Sequence, residues 1–405
     1  MIDHPHDVAG SVASADCRDW DALVIGAGPA GTTIARILAG RGYRILLTDK
    51  RPFPRDKVCG DGLIPDALNA LRRAGLHDAV QERGFATNVL SVFSASRVRV
   101  DLHGQFLTLR RRELDQLMLE AALECGAAFR VSNVDHLEDD GREIRATLST
   151  QATPIRARLA ILATGSDVSL LARQGVSVQM RPSAVALRCY VRSPFTIDQL
   201  VMSFDRSIAP GYAWIFPLGN DAYNIGCGVF NRDTHGRPVN LRHTFETFVS
   251  RFPLARELWR ARIDATPLRG ARLRCGLDTS AAFNGRRTIA IGETIAATFP
   301  FTGEGIGKAM ETGEAGAPYV AAALAHDDCQ RLAAFPAHLE STLRPRYKGY
   351  RIAENWLAHA WLGDFVARRL RHSRTLRRKA AGVVSETTDP QSIFSWRVFL
   401  PERLT

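Results

Sequence analysis

The apolar positions of this chain fall into short blocks separated by glycine, proline and charge, and the first block changes its period partway. Leu23-Val24-Ile25 is a continuous apolar run of strand length, and beyond Gly26-Ala27-Gly28-Pro29-Ala30-Gly31 the spacing from Thr32 to Leu38 becomes helical. Gly40 and Gly42 end that helix, and Tyr43 to Thr48 reads as a second strand that delivers Asp49. The connection after it is too rich in proline, glycine and charge to be regular, until Pro65 to Leu71 opens a helix that Gly75 ends. Val89–Val100 and Gln105–Leu109 read as a hairpin-like pair around Asp101 and Gly104, and Arg111 starts a helix that runs to Glu124. Phe129–Glu138, Ile144–Ser149 and Ile155–Arg158 predict a small antiparallel layer, followed by a buried strand from Leu159 to Gly165. From Val185 to Arg274 strands dominate, with one helix at about Leu241 to Ala261. Arg286 to Gly292 is a further strand, a helix then runs towards Ala325, and the chain from Leu332 onward is mostly helical. The pattern is α/β.

The first strand, helix and strand have a specific chemistry. Gly26, Gly28 and Gly31 stand at G-x-G-x-x-G spacing between a strand and a helix: the first for a tight turn, the second for amides that approach a pyrophosphate, the third for close helix packing. Pro29 and Ala30 complete the turn at the helix N-terminus, whose free N–H groups and positive dipole end favour an anion. Asp49 stands where a carboxylate hydrogen-bonds the ribose hydroxyls, with Lys50 beside it, and a carboxylate there argues against a 2′-phosphate. The expected ligand is a dinucleotide.

Composition changes this picture little. The chain of 405 residues is 45% hydrophobic and 23% charged, without the apolar run of ~20 residues that would span a bilayer. Met1 to Arg18 reads as a mobile lead-in without the features of a secretory signal, which places the protein in the cytoplasm or peripheral to a membrane. Seven scattered cysteines without C-x-x-C pairs predict no metal site. The net charge of +11 suggests an acidic partner, an anionic lipid surface or a diphosphate substrate, rather than nucleic acid. Much of it lies in Arg368, Arg369, Arg371, Arg374, Arg377, Arg378 and Lys379, read first as a solvated helix face and second as a lipid-surface patch. Trp361 and Phe365, at i, i+4 spacing, read first as core and second as lining for a lipid channel.

Two further stretches carry candidate chemistry. Cys59-Gly60-Asp61-Gly62 can bring a thiol and a carboxylate close to a flat ligand, because its glycines allow near approach of the backbone. In Tyr212-Ala213-Trp214-Ile215-Phe216-Pro217 strand alternation puts three aromatic rings on one face, and Gly226 and Gly228 of the following strand leave a bare strip, a combination suited to a long apolar ligand.

The run Phe53-Pro54-Arg55-Asp56-Lys57-Val58-Cys59-Gly60-Asp61-Gly62-Leu63-Ile64-Pro65-Asp66-Ala67-Leu68, after such a glycine fingerprint, resembles the geranylgeranyl reductase family of flavoproteins, in particular its bacterial menaquinone side-chain reductase branch. The resemblance implies a p-hydroxybenzoate hydroxylase-like fold: a FAD-binding Rossmann-like domain with an inserted antiparallel-sheet substrate domain and a C-terminal helical segment. Residues 19–88, 111–184 and 281–330 would form the FAD domain, 89–110 strands joining the substrate domain, 185–280 the substrate domain and 331–405 the helical region. It further implies that Cys59 faces flavin or substrate, that Arg51, Lys57 and Asp61 shape the loop, and that Arg111, opening an R-x-x-L-D pattern, contacts FAD. Thr164-Gly165 stands where hydroxylases of this fold carry Asp-Gly, and Gly292-Glu293 where the family has Gly-Asp to grip the ribityl chain. Pro300-Phe301-Thr302-Gly303-Glu304-Gly305-Ile306 would turn the amides of Gly303, Gly305 and Ile306 towards the flavin's pyrimidine edge.

The implied activity is FAD-dependent reduction of isolated double bonds in a prenyl or polyprenyl substrate, with Cys59 or a water held by Asp61 as proton donor and Tyr212, Trp214 and Phe216 keeping the site dry. Nicotinamide nucleotide, a ferredoxin or a reduced quinone stay open as electron donors. A flavin monooxygenase or halogenase acting on an aromatic substrate, free or carrier-bound, and a flavoprotein passing electrons to a partner protein, are the competing readings.

Overall fold

The computed structural model describes residues 20–230 and 239–395; the lead-in Met1 to Arg18 lies outside them. The βαβ unit forms as the pattern predicts: β1 (Trp20–Ile25), α1 (Pro29–Ala39) and β2 (Ile45–Asp49). Next come β3 (Gly62–Leu63), α2 (Pro65–Arg73), α3 (His77–Arg83), β4 (Phe85–Phe93), β5 (Arg99–Thr108) and α4 (Arg111–Glu124). β6 (Ala128–Val131), β7 (Val134–Asp139), β8 (Ile144–Leu148), β9 (Gln151–Leu162) and α5 (Ser169–Arg173) lead to β10 (Ala184–Arg192) and β11 (Leu200–Ser203). β12 (Tyr212–Pro217), β13 (Ala222–Phe230), α6 (Leu241–Arg251), α7 (Pro253–Arg260), β14 (Asp264–Ala265), β15 (Arg269–Leu273) and β16 (Thr288–Ala290) follow. The chain closes with α8 (Ile306–His326), α9 (Ala334–Thr342), α10 (Arg344–Leu357), α11 (Ala360–His372) and α12 (Arg374–Val384).

Two sheets organise these elements. The first runs β6-β2-β1-β9-β8-β7, with β16 also paired to β9. Its β6, β2, β1, β9 and β16 are parallel, so their carboxyl ends point the same way, and ligands of such sheets bind at that edge. The second runs β14-β10-β13-β12-β11-β4-β5-β3, with β15 on β10. The β4–β5 hairpin comes from between two pieces of the first sheet's chain and joins the second through parallel pairing of Leu90 with Leu200. One apolar core underlies the first sheet and the C-terminal helices; another, built on Phe245, Phe248 and Phe252, packs α6 and α7 on the outer face of the second sheet.

Four local expectations are corrected. The 89–109 hairpin turns at residues 94–98, where Arg97 has φ +61°, and Asp101 and Gly104 lie inside β5. Phe129 belongs to β6, which pairs in parallel with β2 at the sheet edge instead of joining the antiparallel layer. The expected helix at 241–261 is two, because Pro253 lacks the N–H that would continue the ladder. Trp361 is 59% exposed and therefore not core. Among the described residues no helix is long and apolar enough to cross a membrane.

Candidate active site

The carboxyl ends of β1, β2, β9 and β16 open into a cleft of about 1260 Å³ whose opposite wall is the second sheet. That exceeds the ~300–1,000 Å³ of ordinary small-ligand pockets and leaves room for a dinucleotide together with a second ligand. Gly26, Gly28, Pro29, Ala30, Asp49, Lys50, Thr164, Gly165 and Glu293 line it from the first sheet. A Cβ on Gly26, at φ +106°, would stand 2.2 Å from the Ala163 carbonyl oxygen, and one on Gly31 would stand 1.9 Å from the Gly26 oxygen. Gly28 differs: the nearest atom to its Cβ position is Arg55 Nη2 at 4.0 Å, so it faces open cleft. No side chain caps α1, which leaves its first amides to a ligand. This cradle fits a pyrophosphate.

Gly31, Gly292 and Pro300 do not line the cleft. Gly31 seats α1 on the glycine loop, and Gly292, at φ +66°, lets the end of β16 pack against α1, where a Cβ would come within 2.8 Å of Ala30 Cβ. Glu293 does line it, accepting from the Arg274 amide at 3.2 Å; burial raises its pKa, against the pull of Lys57. Gly303, Gly305 and Ile306 lie at the cleft wall before and at the start of α8.

Arg55, which the sequence reading passed over, ties this half together. It donates to Asp49 Oδ2 from Nε at 3.2 Å and Nη2 at 3.0 Å, and to Asp115 Oδ2 from Nη1 at 2.8 Å, while lying 4.5 Å over the Phe53 ring. Asp49 also accepts from the Ala27 amide at 3.1 Å, so its carboxylate braces the glycine loop as well as facing the cleft. Arg111 lines the cleft and grips Asp115 with two bonds of 2.7 and 2.8 Å. Burial works against its charge, but Asp115 outweighs burial and keeps Arg111 protonated. The signal for Arg55 was its place in the Phe-Pro-Arg lead; nothing local said that it would meet Asp115, sixty residues on.

The facing wall is β12. Tyr212, Trp214 and Phe216 all line the cleft. Gly226 and Gly228 do not, which corrects the bare-strip reading: β13 pairs Gly228 with Tyr212 and Gly226 with Trp214, and the rings lie over them. A Cβ on Gly226 would meet Trp214 Cζ2 at 2.3 Å, and one on Gly228 the Tyr212 ring at 3.1 Å. The glycines make space for aromatic rings, not for ligand.

Cys59 and Gly60 lie between the walls and line the cleft. Phe216 covers the loop, 3.3 Å from a Cβ position on Gly60 and 3.1 Å from one on Gly62. Burial raises the Cys59 pKa, and the positive charge of Arg111 pulls it back. The thiol therefore keeps its proton at neutral pH, beside a cation able to stabilise the thiolate once the proton leaves.

Asp61 has no access to the cleft, contrary to the reading of it as holder of a reactive water. It is 0% exposed, at φ +64°, and accepts from the Arg111 amide at 3.2 Å, Tyr190 Oη at 2.9 Å and Asn224 Nδ2 at 2.7 Å. Asn224 also donates to the Cys59 carbonyl at 2.8 Å and accepts from Trp214 Nε1 at 2.9 Å. Asp61 thus positions the Cys59 loop against β12. Burial pushes its pKa up to about 6, against the donors Asn224 and Tyr190. Tyr190 and Asn224 were missed because their partners are far away in the chain.

Comparison with known proteins agrees with this geometry. A model of the FAD binding domain matches residues 19–186, and one of the geranylgeranyl reductase catalytic domain matches residues 184–258. The menaquinone reductase of Mycobacterium tuberculosis is 32% identical over 313 residues, covering 72% of this chain and 74% of that protein. The digeranylgeranylglycerophospholipid reductase 1 of Methanopyrus kandleri is 27% identical over 330 residues, 76% of this chain and 82% of the relative. Among solved structures, a geranylgeranyl bacteriochlorophyll reductase-like protein from Thermoplasma acidophilum superposes with a TM-score of 0.77 at 20% identity, over 91% of this chain and 98% of that one. The flavin-dependent brominase Bmp2 does so at 0.71 and 18%, over 93% and 97%, a likeness of fold alone. With a glycine cradle that fits a dinucleotide, a second wall of aromatic rings, and relatives at this level of identity, the chain belongs to the geranylgeranyl reductase family of FAD-dependent oxidoreductases.

Proposed function

We propose that this enzyme reduces isolated carbon–carbon double bonds in a prenyl or polyprenyl chain. The observation that carries the reading is the Cys59 thiol, lining the cleft on a loop clamped beneath the aromatic wall of β12. Gly26, Gly28, Pro29, Ala30, Asp49 and Lys50 would hold the adenosine diphosphate half of FAD, and Arg111, Thr164, Gly165, Glu293, Gly303, Gly305 and Ile306 the ribityl and flavin half. Reduced FAD supplies hydride when bound.

The rest falls to the protein. An isolated trisubstituted alkene is a poor hydride acceptor, so a proton must reach one carbon as hydride reaches the other. Cys59 is proposed to give that proton, and Arg111 to stabilise the thiolate left behind. Tyr212, Trp214 and Phe216 keep water from the developing positive charge and orient the chain. Residues 185–280, with the β4–β5 hairpin, are taken as the substrate domain. Electrons come from a nicotinamide nucleotide, a ferredoxin or a reduced quinone, and the exposed Arg368, Arg371, Arg374 and Arg378 are proposed to hold the enzyme on an anionic lipid surface that carries the substrate.

The test is single-turnover oxidation of dithionite-reduced protein by a polyprenyl substrate without air. Cys59→Ala is expected to keep FAD and accept electrons but to lose ~10²–10⁴ in rate, and Cys59→Ser to recover little, since a hydroxyl is the weaker acid. Full activity in Cys59→Ala would remove the thiol from the reaction. Rapid, substrate-stimulated oxygen uptake by the wild type would favour a monooxygenase.

A further inference from the structure

Glu304 lines the cleft between Gly303 and Gly305, and behind it lies a charge network that alkene reduction by Cys59 does not use. Carboxylate oxygens of Asp66, Glu304 and Glu386 lie within 4.8 Å of one another. Lys308, fully buried, donates to Glu311 Oε2 at 2.7 Å and Glu386 Oε2 at 2.8 Å, and pairs with Asp66 Oδ1 at 3.1 Å. Arg346 pairs with Glu386 at 2.7 Å and also with Glu311. Glu304 is thus faced by Asp66 from α2, Lys308 from α8, Tyr350 from α10 and Glu386 from beyond α12, and through Lys308 and Glu386 the network extends to Glu311 of α8 and to Arg346 and Tyr347 of α10.

The network is short of positive charge and of donors. Asp66, Glu304, Glu311 and Glu386 share Lys308 and Arg346, so full ionisation would leave negative charge uncompensated in a buried place. Both Glu304 oxygens, Asp66 Oδ2 and Glu386 Oε1 are buried with no hydrogen-bond partner, and the Glu386 side chain is only 9% exposed. Buried acceptors without donors are costly. One proton held between neighbouring carboxylates halves that excess and gives orphaned oxygens a donor together. Burial first, and then the charges of Asp66 and Glu386, push the Glu304 pKa well above the usual carboxylate range.

We infer that Glu304 and Asp66 share one proton at the cleft wall, and that this pair admits the proton that accompanies the electron pair into the cleft. The inference rests on the reductive reading above. Saturating one double bond takes two electrons and two protons. The external donor supplies the electrons, Cys59 gives one proton to carbon, and the other enters with the electron pair and reaches the second carbon as part of the hydride. Gly303 and Gly305 put Glu304 on the cleft wall, and Lys308 joins Asp66 to Glu386 in the network behind it.

The first readout is the infrared stretch of a protonated carboxyl group, recorded in water and heavy water at pH 7.5. The wild type is expected to show this band, Glu304→Gln to lose it, and Asp61→Asn to keep it. In Asp66→Asn the band should titrate away at lower pH, because the neighbouring negative charge is gone. The second readout is the rate at which dithionite reduces bound FAD as a function of pH. The wild-type rate should fall as pH rises through the carboxyl titration, and Glu304→Gln should be slower by at least ~10-fold at neutral pH and flat. No band in the wild type, a band unchanged in Glu304→Gln, or equal reduction rates in the two proteins would each overturn the inference. Should Glu304→Gln fail to fold, the shift in Asp66→Asn decides. Neither readout involves an alkene, so a protein that passes both yet is never oxidised by a polyprenyl substrate would fail as a prenyl reductase while keeping its shared proton.

Discussion

The two walls of the cleft both depend on glycine, for opposite reasons. At the β1–α1 turn, Gly26 and Gly31 are bare so that backbone can press on backbone, and Gly28 is bare so that a ligand can come near. On β13, Gly226 and Gly228 are bare so that the Trp214 and Tyr212 rings can lie over the strand. One wall is a cradle of amides waiting for an anion; the other is a finished aromatic surface. Missing side chains are thus no guide to where a ligand sits unless one knows what covers them.

Substitutions can break this contrast at several levels. The largest effect is expected at the cradle, where Gly28→Val should fold normally yet retain no FAD, because its side chain would point into open cleft. Gly31→Val should instead lose the fold, having the Gly26 oxygen 1.9 Å from its Cβ. Flavin absorbance after gel filtration, alongside thermal unfolding, separates these outcomes; FAD-loaded Gly28→Val protein would refute the cradle.

On the other wall, Gly226→Val should displace the Trp214 ring and cost ~1–3 kcal/mol in chemical denaturation, yet keep FAD. Equal stability would mean that the ring does not rest on the strand.

Asp61, which joins the two walls, should leave a pH signature. Its carboxyl titrates at about 6 in the native protein and near 3.8 in the unfolded chain. Between those values the native state holds a proton that the unfolded state has released, so stability should decline as pH rises from about 4 to about 6 and then level off. The size is at most ~3 kcal/mol at 1.36 kcal/mol per unit. Asp61→Asn should flatten that segment of the curve, and a slope unchanged in the variant would assign it to another group.

A further effect concerns neither wall. Replacing Arg374, Arg377, Arg378 and Lys379 with Gln should weaken binding to anionic vesicles by about 1 kcal/mol for each charge at the surface, leaving FAD and activity on detergent-dispersed substrate in place. Unchanged vesicle binding would make α12 a solvated face.

What could be read from the residues alone was whatever is encoded within a few tens of positions. The glycine fingerprint, the strand before it, the helix after it and Asp49 share one βαβ unit, so their spacing carries their geometry. The alternation of Tyr212, Trp214 and Phe216 likewise put three rings on one face without help from any partner. Sheet partners and burial were not encoded that way. Only the pairing of β12 with β13 placed the rings over Gly226 and Gly228, and only the approach of Tyr190 and Asn224 turned Asp61 from an acid at the cleft into a buried brace for Cys59. The proton assigned to Glu304 and Asp66 belongs to the same class, since its cause is three carboxyl groups from distant segments held together where water cannot screen them. Local backbone preference acts between near neighbours and can be read in order; desolvation and charge depend on everything that surrounds a group, and only the folded chain supplies the surroundings.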